Sequence, residues 1–268
     1  MLFSPPRDDP MGIASNCTSS SAYLLVFHGS RDPRPQQAIE ILVQQVADRL
    51  GTDAIQQKRV SWAALELQPQ PLHQQICQFA EGVLTQEIDR IEIIPLFLLP
   101  GVHVKEDIPA EVELARQKIG TEVEISIRPF LGSSPSMAKR LTSVLKTQSQ
   151  RSAWVLLSHG SRRPGGNEPI ENLTLQLHQQ CHKPVVPAYW SVPPNLETQI
   201  QALVNSRYDR IGILPYFLFA GGITDAIAES VDRLSSQFPQ TQLHLAEPVG
   251  VSDELVEHMI LDEKRRVC

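Results

Sequence analysis

The chain has 268 residues, 41% hydrophobic and 20% charged, the composition of a soluble globular protein long enough for one large domain or two smaller ones. Its 24 Lys+Arg against 30 Asp+Glu give a formal net charge of −6, which argues against a general nucleic-acid binder. No run approaches about 18 apolar residues, and Met1–Ser21 is polar without an apolar signal core, so no membrane span and a cytoplasmic location are expected.

After a polar, flexible N-terminal segment (1–21), the expected strands are Tyr23–Phe27, Arg59–Leu65, Arg90–Leu98 and Glu122–Ile127, each rich in Val, Ile, Leu or aromatic residues. Runs such as LLVF and IIPLFLL are continuously apolar, as in strands covered on both faces of a parallel sheet. Between the first two, Pro35–Leu50 places Ile39, Leu42, Val43 and Val46 on one helical stripe, with Pro35 at a tolerated position near its start. A further helix is expected soon after Pro69. A second series follows: Trp154–Leu157, Val185–Tyr189, Arg210–Phe219 and Gln242–Ala246.

The second series repeats the first. Ala22–Pro35 (AYLLVFHGSRDPRP) matches Ala153–Gly166 (AWVLLSHGSRRPGG), Ala64–Ile76 matches Ala188–Ile200, and Ile88–Pro109 matches Tyr208–Glu229, at offsets of 131, 124 and 120 residues. The join falls in the polar stretch Thr147–Ser152. The expected fold is α/β: two tandem similar domains, 22–148 and 152–268, each a four-stranded parallel sheet flanked by helices.

Function in such sheets collects at the carboxyl ends of the strands. His28 follows the first strand, Glu66 the second and His103 the third. Read singly, His28 equally suits tying down the next loop. Glu66, flanked by Leu65 and Leu67, suits either a helix start or a partly desolvated carboxylate in need of a cation. Together they say more. Neighbouring strands lie about 5 Å apart, so the three can converge on one ion or one proton-transfer site, and two imidazoles with a carboxylate suit iron, cobalt or zinc. In the second copy His159 matches His28, whereas Trp190 stands opposite Glu66 and Ile223 opposite His103. Neither binds a metal, though both can pack against a flat apolar face. One active site, on the first half, is expected.

Other signals are weaker. Cys17, Cys77, Cys181 and Cys268 form no CxxC pair and read as reduced thiols. His178, Cys181 and His182, and also His73 and Cys77, have helical spacing but read as polar helix surface. His244 and His258 have no suggestive neighbours, and Glu263–Val267 reads as a solvated helix end. Gly29-Ser30 lacks the glycine spacing of a nucleotide loop.

With HGSR after the first strand, the Glu66 segment and PLFLLPGVHVKEDIP, nearly the whole chain after Ser21 resembles the CbiX/SirB class II chelatases, in their long fused form. That resemblance implies a chelatase-like fold and a lyase that inserts Fe2+ (for siroheme) or Co2+ (for cobalamin) into sirohydrochlorin, with loss of two pyrrole protons. It makes His28 and His103 the active-site histidines and Glu66 their acidic partner, as catalytic groups and metal ligands. The metal is substrate, with no permanently bound cofactor; the His-rich tail or Cys motif of some long members is absent. The macrocycle carries many carboxylates, so Ser30, Arg31, Arg34, Lys105, His159, Arg162 and Arg163 are the expected substrate-binding groups. No nucleic acid or membrane partner is implied, and the fusion implies a monomer with internal pseudo-dimer symmetry. A non-catalytic tetrapyrrole or metal carrier is the alternative function.

Overall fold

The computed structural model describes residues 21–51, 59–86, 88–148 and 150–250 together with Leu255. Residues 1–20 of the polar segment, Cys17, His258, Glu263–Val267 and Cys268 lie outside the described residues. The first half runs β1 (Ser21–Phe27), α1 (Pro33–Leu50), β2 (Val60–Ala64), α2 (Leu72–Leu84), β3 (Arg90–Pro95), α3 (Ile108–Ile119), β4 (Glu124–Ile127) and α4 (Pro135–Thr147). The second runs β5 (Ala153–Ser158), α5 (Glu168–Cys181), β6 (Val185–Tyr189), α6 (Leu196–Asn205), β7 (Arg210–Pro215), α7 (Gly222–Gln237) and β8 (Gln242–Leu245). Each half forms a parallel four-stranded sheet, ordered β2-β1-β3-β4 and β6-β5-β7-β8.

The third strand of each copy is shorter than its apolar run. Pro95 ends β3; proline has no N–H to extend the ladder. Leu96 makes a last bond, donating to the Val26 carbonyl at 2.7 Å, and the chain then turns out of the sheet. The helix expected near Pro69 begins at Leu72, immediately after Pro71.

The strands are apolar on both faces because each face meets a different core. In β1, Ala22, Leu24 and Val26 pack with α2 and α3 residues such as Ile76, Val83, Ile108 and Val112. Tyr23, Leu25 and Phe27 point the other way, into a core shared with the second half, where Trp154 and Leu156 of β5 and Leu177 of α5 join Leu42, Leu141 and Leu145 of α1 and α4. The remaining β5 residues, Ala153, Val155 and Leu157, pack with α6 and α7. Each lobe therefore owns one core and shares another. Polar ties cross the seam as well. Arg140 donates to the Val249 carbonyl at 2.6 and 3.0 Å, and the Tyr216 hydroxyl donates to the Leu98 carbonyl at 3.3 Å. Burial pushes the Tyr216 phenol up, so it remains a donor.

Candidate active site

His28 is the first residue beyond β1. The next, Gly29, has φ +99°, and a Cβ there would stand 2.1 Å from the Glu66 carbonyl oxygen. Only glycine allows that approach. It lets the β2 exit pass directly beside the β1 exit, where the Glu66 N–H donates to the His28 carbonyl at 2.9 Å. His103 arrives differently. It opens a π-helical turn, His103–Asp107, in which the Ile108 N–H donates to the His103 carbonyl, and α3 follows without a break. Such turns often mark functional positions.

The three side chains converge. The imidazole centroids of His28 and His103 are 4.9 Å apart and tilted by 48°. His28 Nδ1 is 3.9 Å from Glu66 Oε2, too far for a hydrogen bond, so neither group is spent on the other. One ligand atom from each of His28, Glu66 and His103 lies within 4.8 Å of the others. No other set of three potential ligands meets that spacing among the described residues. Glu66 is half exposed, at 51%, as is His28 at 53%; the carboxylate is not desolvated by its flanking leucines. Two nitrogens and one oxygen with open space beside them can hold a divalent first-row ion and leave positions free for exchange. His103 Nδ1 lies 2.7 Å from Asp107 Oδ2, and Phe97 flanks the ring with a centroid separation of 5.9 Å. The amino-acid pattern assigns Asp107 no role; its four-residue spacing from His103 is the available signal.

A cleft of about 700 Å³ opens between the lobes, lined by His103, Lys105 and Glu106 on one side and by His159, Arg162 and Arg163 on the other. Arg163 and Glu106 approach to 4.0 Å, both well exposed. Arg31 is exposed on the loop after His28. The Ser30 hydroxyl accepts the Asp32 N–H at 3.0 Å, closing that loop. Arg34, one of the expected substrate-binding groups, is paired within the protein. Its guanidinium bonds Asp32 at 2.6 Å and, across the lobe boundary, Asp225 at 2.6 Å.

The second lobe corrects one pairing. Phe27 registers with Ala64, and Ser158 with Tyr189. Beyond the strands, the Trp190 N–H donates to Ser158 and the Ser191 N–H to His159, as Leu65 and Glu66 do to Phe27 and His28. Ser191, not Trp190, is therefore the counterpart of Glu66. The β6–α6 loop is one residue shorter than the β2–α2 loop, and matching the helices placed the gap on the wrong side. Ser191 turns its hydroxyl back to the His159 carbonyl at 2.8 Å. Ile223 remains opposite His103, at the start of α7.

The weaker candidates are accounted for locally. His73 pairs with Glu111 at 2.9 Å. His178 Nδ1 contacts the Lys183 carbonyl at 2.7 Å, and His182 is the left-handed cap of α5. Burial raises the thiols of Cys77 and Cys181, and it lowers the His244 imidazole. No helix among the described residues is long and apolar enough to cross a membrane.

The chain is similar to proteins of known activity. It is 26% identical over 181 residues to a sirohydrochlorin ferrochelatase of Priestia megaterium, covering 65% of this chain and 67% of that one. It is 23% identical over 245 residues to a sirohydrochlorin cobaltochelatase of the same organism, covering 87% and 75%. Its fold matches the sirohydrochlorin chelatase SirB of Bacillus subtilis subspecies spizizenii, solved in complex with cobalt, with a TM-score of 0.70, 23% identity and coverage of 92% and 94%. The CbiX family model matches twice, over residues 22–148 and 153–264, and with two tandem copies of that unit the chain belongs to the CbiX family.

Proposed function

We propose that this chain is a sirohydrochlorin chelatase, a lyase that inserts Fe2+ or Co2+ into the macrocycle and releases two protons. The observation that carries the reading is the convergence of His28 and Glu66 at two neighbouring strand exits with His103 at the start of the π-helical turn, beside an inter-lobe cleft. Both kinds of relative, ferrochelatase and cobaltochelatase, are represented among the similar proteins.

In this reading the ion is substrate, held by two imidazole nitrogens and the Glu66 carboxylate. A three-ligand site with open positions binds it loosely enough to surrender it to four pyrrole nitrogens. As the four metal–nitrogen bonds form, the three protein ligands depart, and the two pyrrole N–H protons pass to the freed carboxylate and imidazole and then to solvent. Lys105, Arg162, Arg163 and Arg31 supply local positive charge for substrate carboxylates on a chain that is acidic overall. His159 faces the same cleft from the second lobe. Residues 22–148 then carry the chemistry and 152–268 a second copy without a full ligand set. The protein acts in the cytoplasm as a monomer, since the fusion already supplies the lobe–lobe contact, and needs no permanently bound cofactor.

The test is spectroscopic. Purified chain is mixed with metal-free sirohydrochlorin and Fe2+, Co2+ or Ni2+ in parallel, and the visible spectrum is followed against a no-protein control. Conversion well beyond one equivalent per chain is expected with Fe2+ or Co2+. Binding of pigment or metal that stops at one equivalent identifies a carrier instead.

A further inference from the structure

Asp107 is the first residue past the three-ligand cluster whose carboxylate has a defined task. It lies inside the continuous helical run of the π-helical turn and α3, with helical φ −68° and ψ −50°, so its side chain has no free first-turn N–H to cap. The five-residue π-helical turn instead brings it back alongside His103, and its Oδ2 lies 2.7 Å from His103 Nδ1, the length of a charge-assisted bond. An ionised carboxylate accepts and cannot donate, so the proton in that bond sits on Nδ1.

The second lobe supplies an independent comparison. Ile108, Val112 and Ala115 of α3 are buried as Ile227, Val231 and Leu234 of α7 are, so the π-helical turn is one extra residue in the first lobe: His103 stands opposite Ile223, but Asp107 corresponds to Ala226. The lobe without the imidazole is also without the carboxylate and without the π-helical turn that carries it. His28 and Glu66 set a contrast within the first lobe. Their 3.9 Å separation leaves that carboxylate free, whereas the one beside His103 is committed.

We propose that Asp107 is a positioning residue for His103: it holds the ring as the Nδ1–H tautomer, so that Nε2 carries the lone pair offered to the incoming ion. The inference rests on the reading of His103 as a ligand to the substrate metal. Acceptors of this kind fix ring orientation and raise ligand basicity, and losing them typically costs about 10–100-fold in metal affinity.

The experiment compares full-length wild type with Asp107→Ala and Asp107→Asn. Folding is checked by circular dichroism. The His103 tautomer is read by 15N NMR at a pH above imidazole titration, and Co2+ affinity is titrated with no tetrapyrrole present. Wild type should show the Nδ1–H form. Asp107→Ala should move His103 toward Nε2–H and weaken Co2+ binding about 10–100-fold. Asp107→Asn, whose amide oxygen still accepts, should keep more of the Nδ1–H form and lose less affinity. The KM for sirohydrochlorin should stay within about twofold, because Asp107 acts on the ligand and not on the pigment. Wild-type tautomer and wild-type Co2+ affinity in Asp107→Ala, or in Asp107→Leu should the alanine variant not fold, overturn the proposal. Neither readout needs turnover. A chain that fails to metallate sirohydrochlorin while Asp107→Ala still shifts the tautomer leaves this assignment standing and removes the chelatase reading.

Discussion

The two lobes share a backbone and differ at a handful of side chains, and those differences separate what the fold supplies from what the chemistry requires. Both first strands end in His-Gly-Ser with a left-handed glycine, Gly29 at φ +99° and Gly160 at φ +83°. Both second strands pass their exit residue's N–H to the histidine carbonyl. The crevice is thus a property of the doubled βα scaffold. The ligand set is not: Glu66 and His103 have become Ser191 and Ile223. A second contrast lies deeper. On the shared-core face of the first lobe, Glu92 bonds Ser126 at 2.7 Å and Arg128 at 3.2 Å, and Arg128 stacks over Tyr23 at 5.5 Å. At the same places the second lobe has Gly212, His244, Ala246 and Trp154. The indole fills the vacated space so closely that a Cβ on Gly212 would stand 2.4 Å from its ring. One lobe fills the position with a charged network, the other with a large ring over glycine.

The sharpest break of this comparison removes one imidazole from each lobe. His103→Ala should lower turnover by about 10²–10⁴, the range associated with losing a proton-transfer group, while His159→Ala should cost about threefold or less. Because His103 is partly exposed and lies outside the core, its thermal midpoint should remain within about 2 °C of wild type. Parallel insertion assays and melting curves decide. Equal losses at the two positions mean that the second lobe does chemistry.

Next in size is the buried pair. Glu92 and Arg128 side chains are 6% and 11% exposed. Glu92→Ala takes the acid out of a nearly buried ion pair and should cost up to about 3–5 kcal/mol in urea denaturation. Installing the second lobe's arrangement, Tyr23→Trp with Glu92→Gly and Arg128→Ala, should recover part of that loss. A triple variant weaker than the single one shows that the two arrangements are not interchangeable.

A smaller effect is expected from building a site where the second lobe lacks one. Ser191→Glu with Ile223→His should add a second, weaker Co2+ equivalent in a titration without tetrapyrrole. Trp190→Glu with Ile223→His should not, because position 190 hydrogen-bonds one residue too early, at Ser158. Binding by the Trp190 variant alone would refute the register seen here.

These cases also mark how far the amino-acid pattern reaches. The strands are legible because burial on both faces writes continuous apolar runs, and the duplication is legible because HGSR and the third-strand blocks recur. The meeting of His28 and Glu66 follows from parallel strand exits about 5 Å apart, whereas His103 is brought to them by the loop after β3 and the π-helical turn. What covers each sheet face is not legible, since Tyr23 and Leu24 are equally apolar whether they meet a private core or a shared one. The Ser191 register hides in a one-residue loop difference, which an alignment can place on either side. Asp107 needed the π-helical turn to become a partner of His103. The pairing of Arg34 across the lobes is not legible either, because its second acid, Asp225, lies 191 residues away.

That last residue yields the smallest and most discriminating prediction. Asp32 and Asp225 are both lowered chiefly by hydrogen bonds from Arg34, Asp32 to about 2. A carboxylate lowered in the folded state adds stability above its unfolded value of about 4, and that contribution is lost as pH falls toward 2. The clasp is therefore fully formed at neutral pH, and on an exposed surface it should be weak and salt-sensitive. If Arg34 serves as a clasp, Arg34→Ala and Asp225→Asn should behave alike. Each should shift the thermal midpoint by about 1–2 °C or less, the shift should shrink in high salt, and the KM for sirohydrochlorin should stay within about twofold. If the guanidinium binds a substrate carboxylate, the two variants must part company. Arg34→Ala would raise KM by removing the contact, whereas Asp225→Asn would lower it by releasing the cation to the pigment. The bidentate geometry across the lobe boundary favours matched behaviour, and a KM that moves in opposite directions in the two variants returns Arg34 to the substrate.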